Sequence, residues 1–150
     1  MPICQEQRGG FYERIKNVHW EGFINQSALP AYYRAADMPV LPTRREPWGL
    51  VVNEAMACGT PCIVSDVVGA GPDLVTSSNA GTVFRRDDAE DLAAAMKLAC
   101  VRDNRLRWQA NIPSALAKAS FQENARVLRE MVVKIIQTRG TRNSFNGGQV

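Results

Sequence analysis

The chain has 150 residues, 45% of them hydrophobic and 22% charged, and carries a formal net charge of +3. That length supports one domain with a real core, and the composition is that of an ordinary globular protein. The charge is too small, and too little interleaved with aromatics, to point to nucleic acid.

No apolar run approaches the roughly 20 residues of a membrane-spanning helix, so no transmembrane segment is expected. The N-terminus lacks the charged-then-apolar pattern of a signal peptide, which sets a cytoplasmic expectation. Part of the basic excess lies where Lys134, Arg139 and Arg142 follow the last acid, Glu130. A solvated end is the first reading of that stretch, and contact with a membrane or an acidic partner the second. Cys4, Cys58, Cys62 and Cys100 form no CxxC pair, and buried free thiols are expected rather than disulfides or zinc.

Met1 to Lys16 is weakly patterned and suits the end of a helix. Val18 to Ile24 reads as a strand and its exit. Ser27 is placed to cap a helix through about Ala36, with Leu29, Tyr32 and Tyr33 on its apolar side. Met38 to Leu41 is a short buried strand closed by Pro42. A helix is expected from about Trp48 to Cys58, ended by Gly59, and Cys62 to Ser65 reads as another buried strand.

Gly69 to Gly71 makes a glycine turn opening a brief helix, with Pro72 suited to its first turn. Thr82 to Phe84 is the last strand. Asp87 or Asp88 starts a helix through about Val101, with Leu92, Ala95, Met96 and Ala99 on one face. A further helix covers about Asn104 to Ala119, interrupted or bent near Pro113. Ser120 and Glu123 form a capping box for a long helix to about Thr138. Its stripe of Phe121, Ala125, Leu128, Val132 and Ile135 has the spacing of a core face, or of a contact with another domain. Residues 139–150, rich in Gly, Asn and Ser, are expected to be a disordered tail.

Short apolar strands alternating with helices predict an α/β fold with a parallel, Rossmann-like sheet and flanking helices. Ligands of such sheets bind beyond the carboxyl ends of the strands, where Glu46, Gly49 and Gly69–Gly71 fall. Glu46 sits at a strand-to-helix mouth, and Glu54, after seven intervening residues, about two turns along the helix. The amides of a helix start favour anions, and a carboxylate accepts hydrogen bonds from vicinal hydroxyls. A ligand bearing both hydroxyls and phosphates suits this pairing.

Several residues keep two readings. Gly69–Gly71 fit a simple turn as well as a pocket wall. Arg44 and Arg45 suit a diphosphate or a solvated pair. Trp48 is read as packing the loop rather than stacking on ligand. His19, beside Trp20 in a strand pattern, is read as a packed or hydrogen-bonded histidine rather than a catalytic one.

The ordered run of Gly22-Phe23-Ile24, Leu29 to Asp37, Leu41-Pro42-Thr43, the E-x7-E pair, Glu54 to Pro61, and Gly81 before Val83-Phe84 is specific. Over about residues 17–136 it resembles the donor-binding half of a GT-B glycosyltransferase, in the large retaining group numbered family 4. The resemblance implies that residues 1–138 are a partial GT-B C-terminal domain lacking its first strands. In that likeness Glu46 accepts from hydroxyls of the donor sugar at the catalytic centre. The amides of Trp48, Gly49, Leu50 and Val51 receive the diphosphate, and Glu54 holds the ribose. Gly69 and Gly71 line the sugar pocket, while Phe23 and Ile24 are candidate walls for the base.

The implied reaction moves a sugar from a nucleotide sugar to an acceptor hydroxyl with retention. The nucleotide sugar is substrate, and no cofactor or metal is implied. The family's glycine-rich turn, its Arg and Lys clamp and its acceptor-binding domain are expected to be missing, so turnover by the chain alone is not expected. A separate acceptor-binding domain then becomes a partner, and an uncovered sheet edge invites a homo-oligomer. The alternative is a non-catalytic nucleotide-sugar-binding or protein-interaction module. Another Rossmann-like enzyme is disfavoured, since no GxGxxG follows a strand.

Overall fold

In the computed structural model, which describes residues 17–19 and 21–144, three strands form one parallel sheet. The order is β1 (Val40–Leu41), β2 (Cys62–Ser65), β3 (Gly81–Phe84), with Val40 opposite Ile63 and Ser65 opposite Phe84. Helix α1 (Leu29–Ala35) precedes β1, and α2 (Leu50–Ala57) carries the chain from β1 to β2. A π-helical segment, Gly71–Thr76, carries it from β2 to β3. Helices α3 (Ala89–Cys100), α4 (Arg102–Lys118) and α5 (Phe121–Ser144) follow.

β2 is buried at every position, as a central strand covered on both faces must be. Its alternation sends Cys62 and Val64 to one face, against Met56 of α2, Leu74 of the π-helical segment and Ile112 of α4. Ile63 goes to the other face, against Phe84, Ala95 and Ala99 of α3, and Trp108 of α4. Full burial of a side chain such as Ile63 or Leu74 contributes about 1.5–3 kcal/mol each. The α/β, Rossmann-like architecture expected from the sequence is therefore present.

Several local expectations change. The described residues of Val18–Ile24 form no strand; Gly22 has φ +69°, which breaks an extended run, and Phe23 is 95% exposed. Ser27 is not the cap of α1. Ala28 holds that position without a side-chain bond, and the Ser27 amide instead donates to Asn25 Oδ1 at 3.1 Å. Helix α2 starts at Leu50 because Gly49, at φ +96°, is left-handed.

Asp88 caps α3 by accepting from the Asp91 amide at 2.9 Å, and Ser120 caps α5 by accepting from Glu123 at 3.2 Å. Helix α4 runs through Pro113 without interruption. That proline is exposed, so water can serve the carbonyl its missing N–H leaves. Helix α5 passes Thr138 and reaches Ser144, and the side chains of residues 124–137 are exposed. Ala125, Leu128, Val132 and Ile135 thus form no core face here, with Leu128 63% exposed.

Cys62 is buried as expected, but Cys58 is only half-buried and Cys100, at the end of α3, is exposed. His19 is exposed rather than packed. Met1–Lys16 with Cys4, Trp20, the Phe121 side chain and the side chains from residue 138 onward lie outside the described residues, as do residues 145–150.

Candidate functional site

The loop between β1 and α2 lies directly on the loop that follows β2. Glu46 pairs in parallel with Val68 as an isolated bridge. The Gly69 amide donates to the Glu46 carbonyl at 3.1 Å, and the Ala70 amide to the Trp48 carbonyl at 2.8 Å. Ser65 Oγ adds a bond to the Thr43 carbonyl at 2.7 Å. The two loops thus extend the sheet beyond the carboxyl ends of β1 and β2.

Glycine makes that approach possible. A Cβ on Gly69 would sit 1.9 Å from the Pro47 carbonyl oxygen. One on Gly49 would meet Val68 Cγ1 at 2.9 Å, besides the positive φ. Gly49 then hands the chain into α2 with no side-chain cap. Helix geometry leaves the Leu50 and Val51 amides without intrahelical acceptors, while Val52 N closes the first turn on Gly49 O at 2.8 Å. Positive potential at this mouth favours a bound anion.

Glu46 is half-buried, and its Oε1 accepts from the Trp48 amide at 3.3 Å. That amide is therefore already engaged, unlike its neighbours further along. The Trp48 indole N–H donates to Asn53 Oδ1 at 2.8 Å, which holds the ring against α2. Arg44 pairs with Asp87 at 2.6 Å across the carboxyl ends of β1 and β3, a partner that its sequence neighbours do not suggest.

Glu54 is the fifth residue of α2, one turn along it rather than two. Its Oε2 accepts from the Tyr33 hydroxyl at 3.0 Å. Both line a cavity of about 250 Å³ between α1 and α2, with Gln26, Leu29 and Ala57 among the other walls. Burial first, then the hydrogen bond to Glu54, pushes the Tyr33 phenol up to about 12. The Tyr33 carbonyl also receives Thr60 Oγ1 at 2.8 Å, so the residue is held at both ends.

The expected residues therefore fall into two groups. Glu46, Trp48, Gly49 and Gly69 meet at the loop junction, with Leu50 and Val51 entering α2 beside it. Glu54 lies on the α1 side, and Glu46 is not a wall of its cavity. Gly71 is buried at the start of the π-helical segment, where a Cβ would meet only Val64 Cγ2 at 3.6 Å. Ile24 is half-buried, and neither it nor Phe23 lines the Glu54 cavity. Tyr33 was missed as a site residue; the one signal was a hydroxyl on the apolar side of a helix.

Residues 10–112 match the family model described as glycosyl transferases group 1. The chain belongs to that family. Among group 1 relatives, the D-inositol 3-phosphate glycosyltransferase of Corynebacterium jeikeium is 38% identical over 104 residues, 69% of this chain and 25% of that protein. The glycogen synthase of Mycobacterium tuberculosis is 35% identical over 83 residues, 55% of this chain and 20% of that protein. The chain thus spans about a quarter or less of these two relatives.

In structure, the group 1 chain superposes on sucrose-phosphate synthase from Thermosynechococcus elongatus with a TM-score of 0.55 and 31% identity. That match covers 75% of this chain and 30% of the other. An α,α-trehalose 6-phosphate synthase from Burkholderia multivorans shares the fold at a TM-score of 0.57 and 16% identity, covering 85% of this chain and 27% of that one. The parallel sheet and its flanking helices are those of GT-B glycosyltransferases. Among the described residues no helix is long and apolar enough to cross a membrane.

Proposed function

We propose that the chain is the donor-binding part of a retaining glycosyltransferase that takes a sugar from a nucleotide sugar to an acceptor hydroxyl. The observation that carries this reading is the uncapped start of α2 behind left-handed Gly49, with the Glu46 carboxylate beside it. The diphosphate falls to the Gly49, Leu50 and Val51 amides, with the Trp48 amide released to it when Glu46 turns to the sugar. Glu46 accepts from hydroxyls of that sugar. Glu54, aimed by Tyr33, accepts from the ribose.

As the bond from sugar to diphosphate breaks, negative charge grows on the leaving oxygens. Fixed amides and a helix start are suited to stabilise it, each such donor contributing about 3 kcal/mol in acyl-transfer sites. Nucleotide sugar is the substrate in this reading, and no metal or cofactor takes part. Acceptor binding belongs to a separate domain, which the quarter-length match to the relatives supports. Turnover needs that domain.

Calorimetric titration with UDP-, GDP- and ADP-sugars tests the reading. One of the three is expected to bind, with Glu54→Gln weakening both the sugar and the free nucleotide and Glu46→Gln weakening only the sugar-bearing form. No affinity for any of them at millimolar ligand sinks the proposal. Release of free nucleotide, followed after an acceptor-binding domain is supplied, separates an enzyme from a module that binds without reacting.

A further inference from the structure

The largest of the five cavities described, about 480 Å³, lies at the other end of the sheet from Gly49. Its walls include Asp37, a few residues before β1, and Gly59 to Pro61, immediately before β2. The strands therefore enter the sheet here, whereas the donor loops lie where they leave it. Arg34 of α1 and Arg102 and Arg105 of α4 are among its other walls.

Their hydrogen bonding is unbalanced. Arg105 is held, since its Nε lies 3.6 Å from Asp37 Oδ1 and an Nη donates to the Ala99 carbonyl. Arg34 uses Nε on the Pro30 carbonyl at 3.2 Å, which lays its stem along α1 and leaves its Nη donors unmatched among the described residues. The Arg102 side chain makes no hydrogen bond or ion pair among the described residues. Three arginines and one carboxylate, Asp37, line the cavity, a surplus of two positive charges among its walls. Arg102 also opens α4, whose N-cap, Val101, offers no side-chain acceptor, although Asp103 in the first turn offsets part of the helix dipole.

We infer that this cavity is a second binding site, specific for a phosphate monoester on a small molecule and held by Arg34, Arg102 and Arg105. A dianion matches the charge surplus. The tetrahedral oxygens of a phosphate monoester accept from several planar guanidinium forks at once and carry twice the charge of a carboxylate when fully ionised. The concave shape suits a compact ligand rather than a nucleic acid backbone, which needs a basic strip. The volume leaves room beside the phosphate for a body such as a sugar. The site stands apart from the donor reading, and neither depends on the other.

Amide NMR shifts on the labelled chain test it, with inorganic phosphate and ribose 5-phosphate as probes and potassium chloride at matched ionic strength as control. Saturable shifts are expected at Arg102 to Arg105 and around Gly59, with millimolar midpoints that chloride does not reproduce. The double variant Arg34→Gln/Arg102→Gln is expected to weaken phosphate binding by about tenfold or more, the loss typical of charge-assisted pairs. Arg86→Gln, at the far end of the sheet, leaves it unchanged. The single variant Arg102→Gln gives up no partner within the described chain, so it keeps the fold and still weakens binding. Equal shifts in chloride, unchanged affinity in both variants, or shifts confined to Gly49–Val51 would overturn the site.

Discussion

The hydroxyl of Tyr33 on α1 lies 3.0 Å from Oε2 of Glu54 on α2, the carboxylate proposed above to hold the ribose. One oxygen of Glu54 is fixed by that bond, and the other has no hydrogen-bond donor among the described residues, as the proposed ribose contact requires. Tyr33→Phe removes the fixing bond without opening a large cavity. Its expected cost to folding is about 1 kcal/mol, the net worth of one such bond. Nucleotide affinity should fall severalfold, and less than in Glu54→Gln. Titration calorimetry on both variants checks the ranking; an unchanged affinity in Tyr33→Phe removes the positioning role.

The same pair carries a pH dependence. Burial and the neighbouring carboxylate raise the Tyr33 phenol in the folded chain to about 12, above its ordinary 10. A raised folded value stabilises the folded state wherever the phenol stays protonated. The contribution is therefore whole below pH 10 and lost as the pH climbs through 12. The Tyr32 phenol is also raised, by its bond to Glu21. Ultraviolet titration at the tyrosinate band should therefore show late ionisation of which the part near pH 12 is absent from Tyr33→Phe. A single ionisation near 10 for every tyrosine contradicts the hydrogen bond.

Local patterns made much of this fold legible. The apolar run Cys62–Ser65 gave β2 without error, because a strand buried on both faces needs no alternation. The cap Ser120 was legible, and Asp88 was one of two candidates beside Asp87, because a cap acts within one turn. What failed depended on distant partners. Val18–Ile24 has strand-like residues, yet pairing in a sheet is tertiary, and Gly22 turns the chain away. Tyr33 was placed on the right side of α1, but its acceptor is 21 residues further on. The glycines at 69 and 71 look alike in sequence, and only the packing of Pro47 distinguishes them.

The cysteines give a third test. Burial pushes the Cys62 thiol up to about 12, so almost no thiolate exists at neutral pH. Cys100 is exposed and Cys58 half-buried. Among the three described cysteines, iodoacetamide at pH 8, followed by mass spectrometry of peptides, should label Cys100 first, then Cys58, and Cys62 only after unfolding in urea. Early labelling of Cys62 contradicts its buried place at the start of β2.

The outer edge of β1 supplies a fourth. Among the described residues β1 pairs only with β2, and Val40 is 36% exposed. Unpaired N–H and C=O groups on such an edge recruit another strand. The isolated chain is expected to self-associate there, and Val40→Lys should shift it toward a single chain by placing charge on the edge. Light scattering after size exclusion reads the mass directly. A wild-type chain that stays monomeric at high concentration removes the edge as an interface.

Gly69 and Gly71 make a paired prediction about the donor loop. Neither needs a positive φ, so in the folded chain an added methyl acts through space alone. At Gly69 that methyl would lie 1.9 Å from the Pro47 oxygen, a backbone atom that cannot swing aside. The two loops must part, breaking the bonds from Gly69 and Ala70 to Glu46 and Trp48. Gly69→Ala should cost about 1–3 kcal/mol, the usual range for overpacking. At Gly71 the nearest atom is a side-chain methyl at 3.6 Å, an ordinary contact, so Gly71→Ala should not destabilise the chain and should gain up to about 1 kcal/mol from the stiffer unfolded state. Urea denaturation gives both values. Because the parted loops carry Glu46 and the Gly49 turn, Gly69→Ala should also lose donor binding at ligand levels where Gly71→Ala keeps it. Equal effects at the two positions would mean the loop junction does not shape the site.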